Sequence, residues 1–360
     1  MFPHAAEVFI SGLVAAMLSL GGLVVHRAIA RRRQLFWKVP GGRHWHLRSL
    51  PSGGGWPILT AFVLALLVHP TFPLTSPMVG VFLGLGILLI AGLLDDMRSR
   101  SWRWMLFLQV FAACILIAFG TRLFYVNGFA GGAVRLDLWL WEMPQWVCFT
   151  DACLIPVLGT LLVIGWIVAF ANTFNWLDGS DGAAVSVASV TFIGLIVLSL
   201  SQTVDQPPIA IASAAGLGAV LPFLFFNAPK ARLMLGSSGS YGIAFVLGSL
   251  AIIAGAKIAT VAMMVLLPLA DACAVVGVRL LARQRPWLPD MRHLHHDLAR
   301  RGWSAWKILS LHAACSIIFG ALALFVPRPE KLVVLGAVFL FCVIALFILK
   351  VQKKENALQE

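Results

Sequence analysis

Apolar residues in this chain come in long uninterrupted blocks separated by short polar breaks. The blocks lie near 7–26, 56–69, 77–94, 102–119, 152–170, 183–201, 208–226, 239–254, 258–281, 305–326 and 331–349. Most approach the roughly 20 residues that a helix needs to cross a hydrocarbon core about 30 Å thick. The second and eighth are shorter. Strands long enough to span would alternate in polarity, and these blocks do not, so the pattern predicts an all-α polytopic membrane protein with about eleven transmembrane helices. The first block has no basic residues ahead of it, and Arg27, Arg31, Arg32 and Arg33 follow it. That order predicts an uncleaved anchor with an external N-terminus.

Composition agrees with this reading: 60% of residues are apolar and 12% charged. No Gly/Pro/Ser-rich linker and no internal repeat divides the chain, so residues 1–360 read as one membrane domain. The breaks after the odd-numbered blocks, together with the C-terminal tail, carry 22 of the 27 Lys and Arg residues. The other side keeps Arg122, Arg135, Lys257, Arg328 and Lys331. By the positive-inside rule the basic face and the C-terminus are cytoplasmic. The net charge of +12 is thereby explained by membrane orientation, and its spread over several loops argues against a nucleic-acid partner. The six cysteines show no metal-ligand spacing, and most serve as small apolar residues within blocks. Cys148 and Cys153 both fall on the external side, where pairing is open to them. The external piece from Thr121 to Asp151, with Trp139, Trp141 and Trp146, is expected to hold amphipathic structure at the lipid interface.

Against this apolar background four polar groups stand out. They are Asp95-Asp96, the run Asn172-x-x-Asn175-x-x-Asp178-Gly-x-Asp181-Gly182, the segment Gly236-Ser237-Ser238-Gly239-Ser240, and Asp290-x-Arg292-His293-Leu294-His295-His296. The topology puts all four on the cytoplasmic side, in loops near 95–103, 171–182, 227–240 and 282–304, and a fifth cytoplasmic loop, near 27–55, lies on the same face. Hydropathy and basic residues alone set that topology, so the convergence independently supports one polar site at the inner leaflet. Adjacent carboxylates suit a hard cation such as Mg²⁺, and Arg and His suit spread phosphate charge. Phosphoryl transfer involving a lipid fits that combination. The spacing of Asp178 and Asp181 would place both on one face of a helical turn. The His-rich segment could also ligate a transition metal, although no zinc signature surrounds it. A transporter would carry its ionisable groups near the midplane rather than at span ends. Asp271 and Arg279 lie inside the ninth block, where an acid must pair or face a polar cavity. Pairing of Asp271 with an arginine and a role flanking the site both stay open.

Taken together, the second and fourth motifs, with Asp95-Asp96 in the same order, resemble the polyprenyl-phosphate N-acetylhexosamine-1-phosphate transferase family of bacteria, over most of the chain. The resemblance implies attack by undecaprenyl phosphate on a UDP-N-acetyl sugar with release of UMP, and a requirement for Mg²⁺ or Mn²⁺. It also implies residue roles. Asp95 and Asp96 would serve acceptor activation or metal positioning. Asn172, Asn175, Asp178 and Asp181 would contact nucleotide and metal, and Arg292, His293, His295 and His296 would hold the diphosphate. Arg43, His44 and His46, with the Pro51-Ser-Gly53-Gly54-Gly55 turn, look like the family's first cytoplasmic loop and a further substrate contact. The His-Leu-His-His form is similar to the branch that starts O-antigen, enterobacterial common antigen, teichoic acid or exopolysaccharide, rather than peptidoglycan. Membrane lipid surrounds such an enzyme, and a homodimer is compatible with it.

One position departs from the family pattern. Where the family has Met-Gly-Asp-x-Gly-Ser, this chain reads Leu235-Gly236-Ser237-Ser238-Gly239-Ser240, so Ser237 stands at the position of a metal-site aspartate. A hydroxyl is a poorer Mg²⁺ ligand and removes a negative charge. The expectation is an active transferase, and the alternative is a homologue that binds polyprenyl phosphate without turnover.

Overall fold

The computed structural model describes residues 4–33, 36–38, 49–127, 132–150, 153–255, 257–287, 291–326 and 328–356. The apolar blocks are helical, most of them as one helix each. In chain order these are α1 (Ala5–Arg33), α2 (Gly55–Leu67), α3 (Ser76–Met97), α4 (Trp102–Ala118), α5 (Val157–Leu177), α6 (Ala183–Ser199), α7 (Pro207–Val220), the short α8 (Leu224–Asn227), α9 (Gly236–Ile253), α10 (Ile258–Met264), α11 (Leu266–Leu281), the short α12 (Leu294–Arg300), α13 (Ala305–Phe325) and α14 (Arg328–Asn356). Among the described residues, six helical segments are long and apolar enough to cross a membrane, counting α7 and α8 as one. The bent pair α10–α11 makes a seventh, and shorter apolar helices accompany them.

The ninth block was expected to be one continuous span. Instead it breaks at Val265, and α10 and α11 meet at a bend of 85°. The cause is local. Pro268 has no N–H to give the carbonyl of Met264 four residues back, and that carbonyl accepts a hydrogen bond from Ser316 Oγ of α13 at 2.6 Å.

Packing centres on α9, whose span is 89% buried. Lipid tails offer no hydrophobic drive for helices to associate, so close approach depends on small residues. A Cβ on Gly55 of α2 would lie 2.0 Å from the backbone nitrogen of Gly239, and one on Gly92 of α3 would lie 2.3 Å from Ser238 Cα. These two glycines let α2 and α3 press against the first turn of α9. The α1–α7 contact follows the same rule: a Cβ on Gly218 would meet the carbonyl of Gly12 at 1.9 Å, and Ser11 and Ser19 donate to carbonyls of Ile211 and Ala219.

Among the described residues, six short strands pair as three two-stranded antiparallel sheets: β1 (Trp37–Lys38) with β2 (Leu50–Pro51), β3 (Tyr125–Asn127) with β4 (Ala133–Arg135), and β5 (Leu140–Glu142) with β6 (Leu154–Pro156). The last two form the segment between α4 and α5, at the opposite ends of those helices from Asp96 and Asp178. There Trp139, Trp141 and Trp146 are exposed, and Cys148 and Cys153 are joined by a disulfide.

Gly92→Ala is therefore expected to destabilise the protein by about 3 kcal/mol or more, since the obstructing atoms are backbone. Gly86→Ala on the same helix, where a Cβ meets nothing within 4 Å, is expected to be neutral or slightly stabilising. Thermal unfolding of both variants in detergent checks the contrast.

Candidate active site

The site is built around the first turn of α9. This helix begins at Gly236 with a left-handed φ of +79°, and its N-cap residue, Leu235, supplies no side-chain cap. The exposed amides need an acceptor, and Asp96, buried in the last turn of α3, provides it. Its carboxylate accepts from the backbone N–H of Ser237 (2.9 Å) and Ser238 (3.2 Å), from Ser238 Oγ (2.7 Å) and from Ser52 Oγ (3.2 Å). A negative charge at a helix N-terminus also meets the positive end of the helix dipole. Gly236 is required here, because a Cβ would lie 2.5 Å from the Asp96 carboxylate.

Ser52 is itself held in place. Trp56 Nε1 donates to His26 Nδ1 at 3.0 Å, so His26 Nε2 carries the proton and donates to the Ser52 carbonyl at 3.0 Å. The turn is further tied to the α9 approach by three backbone bonds: Met234 N–H to Pro51, Gly54 N–H to Met234 and Gly55 N–H to Leu235.

Two more carboxylates reach the same turn. Asp95 accepts from Ser237 Oγ at 2.6 Å and from the Arg100 N–H at 2.6 Å. Asp178, the C-cap of α5, accepts from the Gly236 N–H at 3.2 Å. Burial raises the Asp178 pKa well above the usual carboxylate range, and the charges of Asp96 and then Asp181 add to that effect. Asp181 accepts from the Ala231 N–H at 3.2 Å. The expectation that Asp178 and Asp181 share a face of one helical turn is corrected here. They flank a turn between α5 and α6, set by Gly182 at φ +71°, whose N–H donates to Asn227.

Asn175 donates to Ser240 Oγ at 3.1 Å and so joins the α9 cluster. Asn172 lies one turn earlier and spends its amide protons on Gln109 (2.9 Å) and the Val168 carbonyl (2.7 Å).

The His-rich segment approaches from the other side. A Cβ on Gly179 would fall 2.6 Å from His295 Nε2, which places that ring directly against the Asp178–Gly179 turn. His295 is buried, and its Nε2 has no hydrogen-bond partner. His293 and His295 are stacked, with ring centroids 6.0 Å apart, and His295 and His296 lie 4.1 Å apart. Burial, then the neighbouring His296 and His293, hold His295 well below the usual imidazole range. Burial, then His293 and Arg300, bring His296 down to about 4. His293 Nδ1 donates to Asp271 Oδ2 at 2.9 Å, and Lys350 Nζ lies 2.9 Å from Asp271 Oδ1. The arginine considered as partner for Asp271 is thus replaced by a histidine and a lysine. Arg279 instead donates to the Pro286 carbonyl and lies over the Trp176 ring.

The structure therefore gathers Asp95, Asp96, Asp178, Asn175 and Ser237 around one helix end, with Asp181 adjoining and His293, His295 and His296 opposite. Arg292 sits at the head of the His segment. Arg43, His44, His46 and Asp290 lie outside the described residues. Ser52 and Lys350 were not singled out in the sequence, and Ser238 was named only as part of its motif, with no role. Ser52 lies in a turn noted only for its glycines, and Lys350 looked like one more tail charge.

Whether a divalent cation suits this site follows from the donors. Among the described residues, no three His, Cys, Asp or Glu side chains form a metal cage. Asp96 is already committed to α9, and Ser237 gives its proton to Asp95. Yet burial, and after it the charges of Asp96 and Asp181, leave the Asp178 carboxylate short of compensating positive charge. Mg²⁺ characteristically binds through one or two carboxylates, completing its shell with water and substrate phosphate. The donors are compatible with such an open site, in which Asp178 would be the principal ligand, with Asp181 or Asp95 as the other carboxylate.

Residues 78–255 match the family model described as Glycosyl transferase family 4. The chain is 25% identical to decaprenyl-phosphate N-acetylglucosaminephosphotransferase of Mycolicibacterium smegmatis, over 98% of this chain and 91% of the relative. It is 25% identical to the probable undecaprenyl-phosphate N-acetylglucosaminyl 1-phosphate transferase of Bacillus subtilis, over 74% of this chain and 70% of the relative. A third relative, phospho-N-acetylmuramoyl-pentapeptide-transferase of Limosilactobacillus fermentum, is 30% identical over 45% of this chain and 50% of its own length.

Two outcomes follow from the electrostatics. Asp178→Asn removes a charge that the fold disfavours, so it is expected to raise Tm at pH 7.5 by roughly 2–4 °C. The gain should shrink at pH 5, as wild-type Asp178 takes up its proton. The histidines have the opposite sign. The folded pKa values of His295 and His296 are depressed, so the contribution of these two is complete above the unfolded value of about 6.5. It is lost as pH falls from there toward about 4. Thermal unfolding from pH 7.5 to 5 should show Tm falling, with a flatter profile for His296→Gln.

Proposed function

The chain belongs to the polyprenyl-phosphate hexosamine-1-phosphate transferase family, and from that premise we propose that it transfers an N-acetylhexosamine 1-phosphate from a UDP-linked donor to undecaprenyl phosphate or a similar polyprenyl phosphate. The acceptor phosphate oxygen attacks the β-phosphorus, the bond to the UMP oxygen breaks, and a lipid-linked sugar diphosphate forms that starts a surface glycan. The observation that carries this reading is the Asp178–Gly179 turn. One side of it meets carboxylates at the α9 N-terminus, and the other meets a buried imidazole nitrogen without a protein partner.

Both reactants are anions, so the site must offset repulsion and hold them in line. Mg²⁺, held by Asp178 with Asp181 or Asp95, would supply much of that positive charge when bound. The imidazoles of His293 and His295, with Arg292, face the diphosphate and donate to its oxygens. Asp96 shapes the α9 end. Asp178, whose pKa burial raises above the usual carboxylate range, lies where the Gly236 N–H and the acceptor phosphate would meet.

The active face is cytoplasmic in this proposal. Supporting it are the basic residues on that side and the Cys148–Cys153 disulfide at the far end of α4 and α5, since disulfides persist in oxidising compartments. The bacterial inner membrane is the corresponding location. A second reading, binding of polyprenyl phosphate without turnover, draws on Ser237. Its hydroxyl bonds Asp95 directly, where the family pattern has an acid.

Purified protein with undecaprenyl phosphate, Mg²⁺ and a panel of UDP-N-acetyl sugars is expected to release UMP only when the lipid is present. Asp178→Asn should lower the rate by about 10³-fold or more. Ser237→Asp should raise activity at low Mg²⁺. Lipid-phosphate binding with no UMP from any donor would favour the binding-only reading.

A further inference from the structure

Lys350 is an unusual residue for its position. It lies near the end of α14, directly after the apolar run 332–349 of that helix, and it is buried. Its ammonium lies 2.9 Å from Asp271 Oδ1 on α11 and 3.6 Å from Asp297 Oδ2 on α12, and it donates to the Arg292 carbonyl. Asp271 in turn accepts from His293 Nδ1 at 2.9 Å and from the Leu294 N–H at 3.1 Å. One cation thus touches both acids that flank the His segment and the backbone between them. Leu346 and Phe347 of α14 pack with Ala270, Ala274 and Leu294, which fixes the helix that carries it.

From this geometry we propose that Lys350 is a positioning residue for the UDP-sugar diphosphate, acting through Asp271 and the Arg292 carbonyl to set the placement of Arg292 and His293. The inference rests on the transferase reading for its substrate, and on geometry alone for the clamp. Two features separate it from a general stabilising ion pair. Every partner of Lys350 belongs to, or directly holds, residues 292–297. Moreover, the His293 ring that Asp271 orients lies 5.2 Å from Trp176, at the end of α5 that carries Asp178. Without the ammonium, Asp271 would keep its histidine but lose its other charged partner, and Asp297 would lose its tie to α14. The segment would then be free to shift relative to the Asp178 turn, and a displacement of about 1 Å at a binding group is enough to weaken it by one or two orders of magnitude.

The test is Lys350→Met against Lys350→Arg in full-length protein in detergent, with Lys350→Gln as a further variant should Met lower the folded yield. In Lys350→Met, amide hydrogen exchange should increase in the peptide spanning 291–300 and stay unchanged at 173–181, and the arginine variant should resemble wild type. In turnover assays the KM for the UDP-sugar should rise about tenfold, with kcat and the polyprenyl-phosphate KM within about twofold, and Arg should restore it. Unchanged exchange at 291–300, or a fall in kcat with no change in donor KM, would overturn the proposal. Should wild-type protein release no UMP, the transferase reading fails, and the exchange measurement still decides whether Lys350 clamps the segment.

Discussion

The arrangement depends on one electrostatic match: a carboxylate buried inside a membrane protein meets the uncapped amino end of the most enclosed helix. Neither partner is stable alone. Asp96 away from water would be costly without donors, and the first amides of α9 have no local cap. Each resolves the other, with hydroxyls from Ser52 and Ser238 completing the shell. The match also dictates packing. The carboxylate reaches those amides only because α3 and α2 meet α9 at Gly92 and Gly55, where backbone nearly touches backbone. Helix association and site assembly are therefore the same event at this end of the bundle.

A few ångströms away the same chemistry is left unresolved. Asp178 has one amide donor and two acidic neighbours, and His295 presents a buried nitrogen that nothing in the protein meets. A fold that satisfies Asp96 so fully could have satisfied these groups as well. Their frustration marks where ligands complete the structure, the pattern expected when binding energy rather than folding energy balances the charges.

Much of this was legible in the chain. The apolar blocks located the helices, because backbone in lipid must bond to itself, and the acidic and histidine motifs named most of the polar side chains that the fold brings together at the end of α9. What escaped depended on partners far away in sequence. Pro268 signalled a disturbance, but the severity of the α10–α11 break depends on Ser316 accommodating the freed carbonyl. Asp271 advertised a need for a partner without saying which of several cations would satisfy it. The spacing of Asp178 and Asp181 suggested a helical face, yet Gly182 and Asn227 turn the chain before a helix can form there. The segment between α4 and α5 was read as interfacial from its tryptophans, and its strands are too short to leave a periodic signal.

The salt bridge from Lys350 to Asp271 also has a temporal side. Lys350 follows Arg292 by 58 residues, and translation proceeds from the amino end. The ribosome has already released α3, α5 and α9, and with them the whole carboxylate cluster, before it makes the lysine that neutralises Asp271. During that interval the nascent chain carries an intramembrane acid that has its histidine partner but not yet its ammonium. The two halves of the site therefore mature in sequence, with the histidine half completed last, as α14 docks along α11.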